Sequence, residues 1–124
     1  MPAARIIPNR GPMSGFLKPF DVLSRLTDQA YRVSFSHLWN GIATRHSDTV
    51  DAKFFVDGRS ILVGLAHSAF VQFREHHGRD LTDREAGFIA ASYLRERLEQ
   101  EDERPVYDVS ATDVLRLVDT LGLT

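Results

Sequence analysis

The chain contains no cysteine, two lysines, one tryptophan and two methionines in 124 residues. Without cysteine it can build neither a disulfide scaffold nor a thiolate zinc site, and it has no thiol nucleophile. Outside the first nineteen residues there is a single proline, Pro105. No stretch approaches the roughly 18 apolar residues that a membrane span requires. The opening MPAARIIPNRGPMSGF lacks the continuous apolar segment of a secretory signal, so a cytoplasmic protein is expected, with no membrane partner. What is present is ordinary for a soluble globular chain: 43% hydrophobic and 26% charged residues, enough for one domain.

The net charge of −2 hides an uneven distribution. Residues 1–46 carry Arg5, Arg10, Lys18, Arg25, Arg32 and Arg45 against Asp21 and Asp28, a balance of +4. Residues 47–124 carry nine basic residues against fifteen acidic ones, a balance of −6. The basic part can meet an acidic partner, fold back on the acidic body, or simply be solvated surface, and the last is the default reading. Four of the five prolines and Gly11 and Gly15 lie within residues 1–19. Proline removes a backbone donor and restricts its predecessor, so 1–19 is expected to be an extended arm outside the core, and 20–124 a single domain.

From Phe20 the three-residue spacing of Phe20, Leu23 and Leu26 predicts two helical turns. Tyr31, Val33 and Phe35 then alternate with Arg32 and Ser34, as in a strand with one buried face. Asn40-Gly41 reads as a type I′ hairpin turn, followed by a short polar strand over Ile42–His46. A second hairpin turns on Asp57-Gly58. With Val56 and Arg59 flanking the turn, Phe54 faces Ile61, Ala52 faces Val63 and Val50 faces Leu65, and a slip of one residue destroys that match.

Helical periods follow. Ala66, Phe70 and Phe73 form a stripe that ends at Gly78. Thr82-Asp83-Arg84-Glu85 is a capping box ahead of Ala86, Ile89, Ala90, Tyr93, Leu94 and Leu98. After Pro105 a short strand, Val106–Val109, precedes a capping signal at Ser110 and an amphipathic helix with Val114, Leu115, Val118 and Leu121, closed by Gly122. The expected fold is therefore α+β: a small antiparallel sheet, built as a hairpin meander, packed against two or three helices, with an extended N-terminal arm.

Candidate chemistry is sparse. His67, His76 and His77 fall on or beside one helix without the i, i+4 spacing of helical zinc sites, and Glu85 is already engaged in its cap, leaving Asp80 and Asp83 as spare oxygens. Among Asp48, Asp51, Asp57 and Asp108, Asp57 is explained by its turn and Asp51 belongs to the outer strand face. Ser60, Ser68 and Ser92 lack a glycine-framed elbow, and no glycine-rich phosphate loop occurs. Arg95 and Arg97 with Glu96, Glu99, Glu101, Asp102 and Glu103 read as a solvated, self-compensated face. Tyr31, Phe35 and Trp39 could form a stacking platform, but at strand spacing they read first as core. No catalytic, cofactor-binding or metal-binding residue is assigned, and no cofactor is expected.

Residues 50–113 resemble a small uncharacterised bacterial family, domain of unknown function 1488. The resemblance is carried by Phe54-Phe55-Val56-Asp57-Gly58-Arg59, by Ile61 to Phe70 as a strand running into a helix, and by Tyr107-Asp108-Val109 with Thr112-Asp113. It covers about half of the chain and implies a compact α+β fold with no assigned activity, cofactor or catalytic residue. The expected function is a non-enzymatic module acting through protein–protein contacts with a protein partner or as a homodimer. The alternatives are a nucleic-acid accessory protein using the basic arm, which is the lesser reading, and an enzyme whose site assembles from distant residues.

Overall fold

The structure, a computed structural model, describes residues 17–124. The elements run β1 (Phe20–Leu23), β2 (Ala30–Asn40), α1 (Gly41–Arg45), β3 (Thr49–Val56), β4 (Arg59–Ala66), α2 (His67–His77), α3 (Asp83–Glu99), β5 (Val106–Val109) and α4 (Ala111–Leu121). The five strands form one curled sheet in chain order, with the three longer helices packed on one face, an α+β fold. The first three strand pairs are antiparallel, as expected, but β5 lies parallel to β4, so the sheet is mixed. Between them α2 and α3 form a two-helix crossover, the kind of connection that parallel neighbours need.

The central hairpin has the register that its alternation dictates: Phe54 opposite Ile61, Ala52 opposite Val63, Val50 opposite Leu65. Its turn places Asp57 at φ 49° and Gly58 at φ 83°, the left-handed pair of a type I′ turn. The Asp57 carboxylate also accepts from the Arg32 amide at 2.9 Å, tying the hairpin tip to β2. Val22, Tyr31, Val33, Phe35, Phe54, Val56, Ile61, Val63, Leu65, Tyr107 and Val109 all bury on the helix side. Against them pack Ala69 and Phe73 of α2, Ile89, Leu94 and Leu98 of α3, and Val114, Leu117 and Val118 of α4.

The caps hold the helices where the sequence places them. Thr82 accepts from the Glu85 amide at 3.1 Å while the Glu85 carboxylate accepts from the Thr82 amide at 2.9 Å, a complete capping box. Gly78 and Gly122 close α2 and α4 in the left-handed conformation, and Ser110 accepts from the Asp113 amide. Within α4 the inner stripe is Val114, Leu117 and Val118, while Leu121 is exposed.

Three local expectations are corrected. Phe20–Leu23 is a strand, not a helix: Val22 is the buried residue, while Leu23 and Leu26 point outward. Pairing with Ala30–Val33 outweighs the three-residue spacing, and Ser24–Gln29 forms the turn. Asn40-Gly41 does not make a hairpin turn, and Ile42–His46 is not a strand. Asn40 stays extended and caps α1, its side chain accepting from the Ile42 amide at 2.8 Å. Leu17, inside the expected arm, is buried in the core. Residues 1–16 of that arm, Arg5 and Arg10 among them, lie outside the described residues.

Candidate functional site

Because strand side chains alternate, the sheet's second face carries a different set of residues, and none of the three longer helices covers it. The registers arrange them in rows across the strands. Trp39, Asp51, Gly64 and Asp108 are successive partners across β2, β3, β4 and β5. The next row is His37, Lys53, Leu62 and Val106, and the one beyond it is Ser34, Phe55 and Ser60. Trp39 belongs here because of an irregularity in β2 between Phe35 and His37. One extra residue inverts the alternation, so Leu38 turns to the core and His37 and Trp39 turn to the outer face. Of the three aromatics read as core, Tyr31 and Phe35 are buried there and Trp39 is not.

One end of this face is closed by α1. Its Arg45 reaches back over Gly64 to bind Asp51 through two bonds, Nε to Oδ2 at 2.7 Å and Nη2 to Oδ1 at 2.9 Å, and Asp108 through Nη2 at 2.9 Å. Thr49 donates its hydroxyl to Asp51 at 2.7 Å. Asp51 is fully buried, although the alternation places it on the outer face, because the α1 clasp covers it. Burial pushes its carboxyl up, but the Arg45 and Thr49 hydrogen bonds outweigh that and hold it below its ordinary value. The Arg45 guanidinium is held more firmly protonated, first by its bond to Asp51.

Two glycines make the clasp possible. A methyl at Gly64 would collide with the Arg45 guanidinium and lie 2.8 Å from the Asp51 carboxylate, and one at Gly41 would collide with the Thr49 hydroxyl. Trp39 completes the closed end by donating from Nε1 to the Thr44 hydroxyl at 2.9 Å.

The other end is open. Phe55 is 37% exposed and Val106 39% exposed, with half-buried Leu62 between them. The Lys53 ammonium stands 5.1 Å from the Phe55 ring centroid, and the His37 ring packs tilted against Trp39 with centroids 4.7 Å apart. The open end is thus a small apolar strip edged by a cation and a tilted aromatic pair.

The remaining candidates are dispersed. His76 and His77 line a shallow groove of about 330 Å³ between α2 and α4 together with Leu115, Val118 and Asp119, and the His77 ring packs tilted against Phe73 with centroids 4.3 Å apart. His67 stacks on Phe70 at the other end of α2. Among the described residues no group of three or more histidine and carboxylate side chains converges to hold a metal. Asp48 is exposed, and so are Asp80, Asp83, Ser60 and Ser68.

The acidic run after α3 does more than face solvent. Glu101 accepts from the Ser24 and Thr27 hydroxyls, each at 2.6 Å, Glu99 pairs with Arg25, and Glu103 binds Arg59 through two bonds. Glu85, already in its cap, is also held by Arg79 through two bonds of 2.9 Å. Arg79 is the main reason that its carboxyl falls to about 2, with burial opposing. Comparison with protein families, with characterised proteins and with solved structures finds no match to this chain.

Proposed function

We propose that the chain is a non-enzymatic module that acts through protein–protein contacts made by the open end of the helix-free sheet face, with a second copy of itself as the occupant to test first. The observation that carries this reading is the strip of Phe55, Leu62 and Val106, left accessible on a sheet whose opposite face is fully packed. Apolar side chains grouped on one face favour association, because each gains only when a partner excludes water from it. A sheet face is also suited to an isologous contact, in which the same strip serves both copies.

Sedimentation over a wide concentration range tests it. The expected result is a reversible dimer that Phe55→Glu abolishes, with the circular dichroism of the fold retained, since Phe55 lies outside the core. A strictly monomeric 14.0 kDa species at the highest concentration overturns self-association.

A second reading rests on a separate observation: Trp39 and His37 pack ring against ring, tilted by 32°, beside Lys53 and Phe55 on an open sheet face. Such a surface suits the stacking of single-stranded nucleic acid bases. Trp39 is the only tryptophan, so its fluorescence reports directly. Salt-sensitive quenching by a single-stranded oligonucleotide supports this reading, and unchanged emission at low salt removes it.

A further inference from the structure

We infer that a second copy docks antiparallel across the helix-free face, with Phe55 on the two-fold axis and Lys53 of each copy against the partner's Asp57. This arrangement rests on the self-association proposed above and specifies how the two copies are oriented.

The axis follows from position. β3 is the middle strand of five, and Phe55 lies between the row of His37, Lys53, Leu62 and Val106 and the hairpin tip at Asp57. An isologous contact centred on a residue sets that residue against its own copy. Phe55 is the largest apolar side chain of the strip and is exposed, so pairing it with itself removes the most apolar surface from water at the axis.

The charges choose the orientation. Sheets packed face to face keep their strands within about 30° of one another, so the two β3 strands run either parallel or antiparallel. Along the chain Lys53 precedes Phe55 by two residues and Asp57 follows it by two, the spacing that returns strand side chains to one face. A parallel arrangement about Phe55 sets Lys53 against Lys53 and Asp57 against Asp57, and both oppositions repel. The antiparallel arrangement sets each Lys53 against the partner's Asp57, giving two attractions related by the axis.

Both groups are placed for this contact. The Lys53 ammonium stands over the Phe55 ring, 5.1 Å from its centroid, and the Asp57 side chain keeps 36% of its exposure at the tip. The tip as a whole is acidic: Arg32 and Arg59 stand there against Asp21, Asp57 and Glu103. The other end of the strip carries His37 and Lys53.

The cysteine-free chain makes the orientation measurable with single introduced thiols. Facing sheets lie about 10 Å apart, too far for a disulfide, so the probe is a short bis-maleimide. A Lys53→Cys chain mixed with an Asp57→Cys chain should cross-link to it several-fold more than either links to itself, read by mass spectrometry of the joined peptides. Each mixed pair retains one Lys53–Asp57 contact. Preferential linking of the Lys53→Cys chain to itself, or no linking at all, overturns the arrangement. Where the unmodified chain nevertheless sediments as a dimer, self-association stands and the orientation alone falls; a monomer removes both. Asp57→Asn keeps the acceptor for the Arg32 amide and should weaken the dimer several-fold at low salt. An unchanged dissociation constant overturns the Lys53–Asp57 contact.

Discussion

Arg45 and Asp51 are unequal partners. Asp51 has no exposure, whereas the Arg45 side chain keeps 23% of its own and Asp108 keeps 66%. Removing the arginine therefore strands a buried carboxylate, while removing Asp108 costs only one exposed contact. Arg45→Ala is expected to lower stability by about 3–5 kcal/mol near neutral pH, and Asp108→Ala by about 0–1 kcal/mol, both read from urea denaturation. Without Arg45 only the Thr49 hydroxyl opposes the burial effect on Asp51, so its folded-state pKa is expected to rise above the unfolded value. The contribution of that group is then present below the unfolded pKa and lost as pH rises. Arg45→Ala should regain part of its stability on acidification, and a deficit independent of pH would refute the account.

The glycines separate steric from conformational effects at the same scale. Gly58 has φ +83° and nothing within 4 Å of an added methyl, so Gly58→Ala costs only the left-handed backbone, about 1–2 kcal/mol. Gly64→Ala must displace the Arg45 clasp and should cost about 3 kcal/mol or more. Equal losses from the two substitutions would mean that Gly64 does not hold the clasp in place. Asp51 was legible in the sequence as an outer-face residue, but its burial was not. Arg45 and Asp108 are six and 57 residues away from it in the chain, and the β5 crossover that brings Asp108 alongside leaves no local pattern.

Among the elements, those with two agreeing signals were readable. The Asp57-Gly58 hairpin combines turn chemistry with three apolar cross-strand pairs, and α3 combines a capping box with a broad apolar face. β1 and α1 each offered one signal, which tertiary contacts overruled. The spacing of Phe20, Leu23 and Leu26 implied a helix, yet Ser24 and Thr27 bind Glu101 and make that segment a turn. The β2 irregularity did leave a trace: Leu38 follows Phe35 at an interval of three, breaking the alternation. Thr82→Ala removes the acceptor for the Glu85 amide and is expected to cost about 0.5–2 kcal/mol. The change should raise hydrogen exchange in the first turn of α3 more than in its middle, and an even rise along the helix would count against a local cap.

At the scale of the whole molecule, described arginines of the basic first part pair with carboxylates of the acidic second part. Arg25 pairs with Glu99, Arg45 with Asp51 and Asp108, and within the second part Arg59 pairs with Glu103. Stability should therefore respond to acid through carboxylates that have cationic or hydroxyl partners. Glu85 is lowered to about 2, first by Arg79, and Asp51 and Glu101 are lowered as well, Glu101 by the Ser24 and Thr27 hydroxyls. A depressed carboxyl contributes stability above its unfolded pKa and loses it as pH falls through the folded value. For Glu85 that window runs from 4.5 down to about 2.

Tyr107 gives the opposite limb. Burial raises its hydroxyl to about 12, against the Arg104 amide bond, and the hydroxyl donates to the Asp102 carbonyl at 2.5 Å. A raised tyrosine contributes fully below its unfolded pKa of 10 and loses that contribution as pH climbs to about 12. Urea denaturation from pH 2 to 12 should show stability falling below about pH 4.5 and again above about pH 10. Glu85→Gln should shallow the acid limb alone, and Tyr107→Phe the alkaline limb alone, at the cost of the two hydrogen bonds made by the hydroxyl. An acid limb of unchanged slope in Glu85→Gln would place the acid sensitivity in other carboxylates and refute the role given to the Arg79–Glu85 pair.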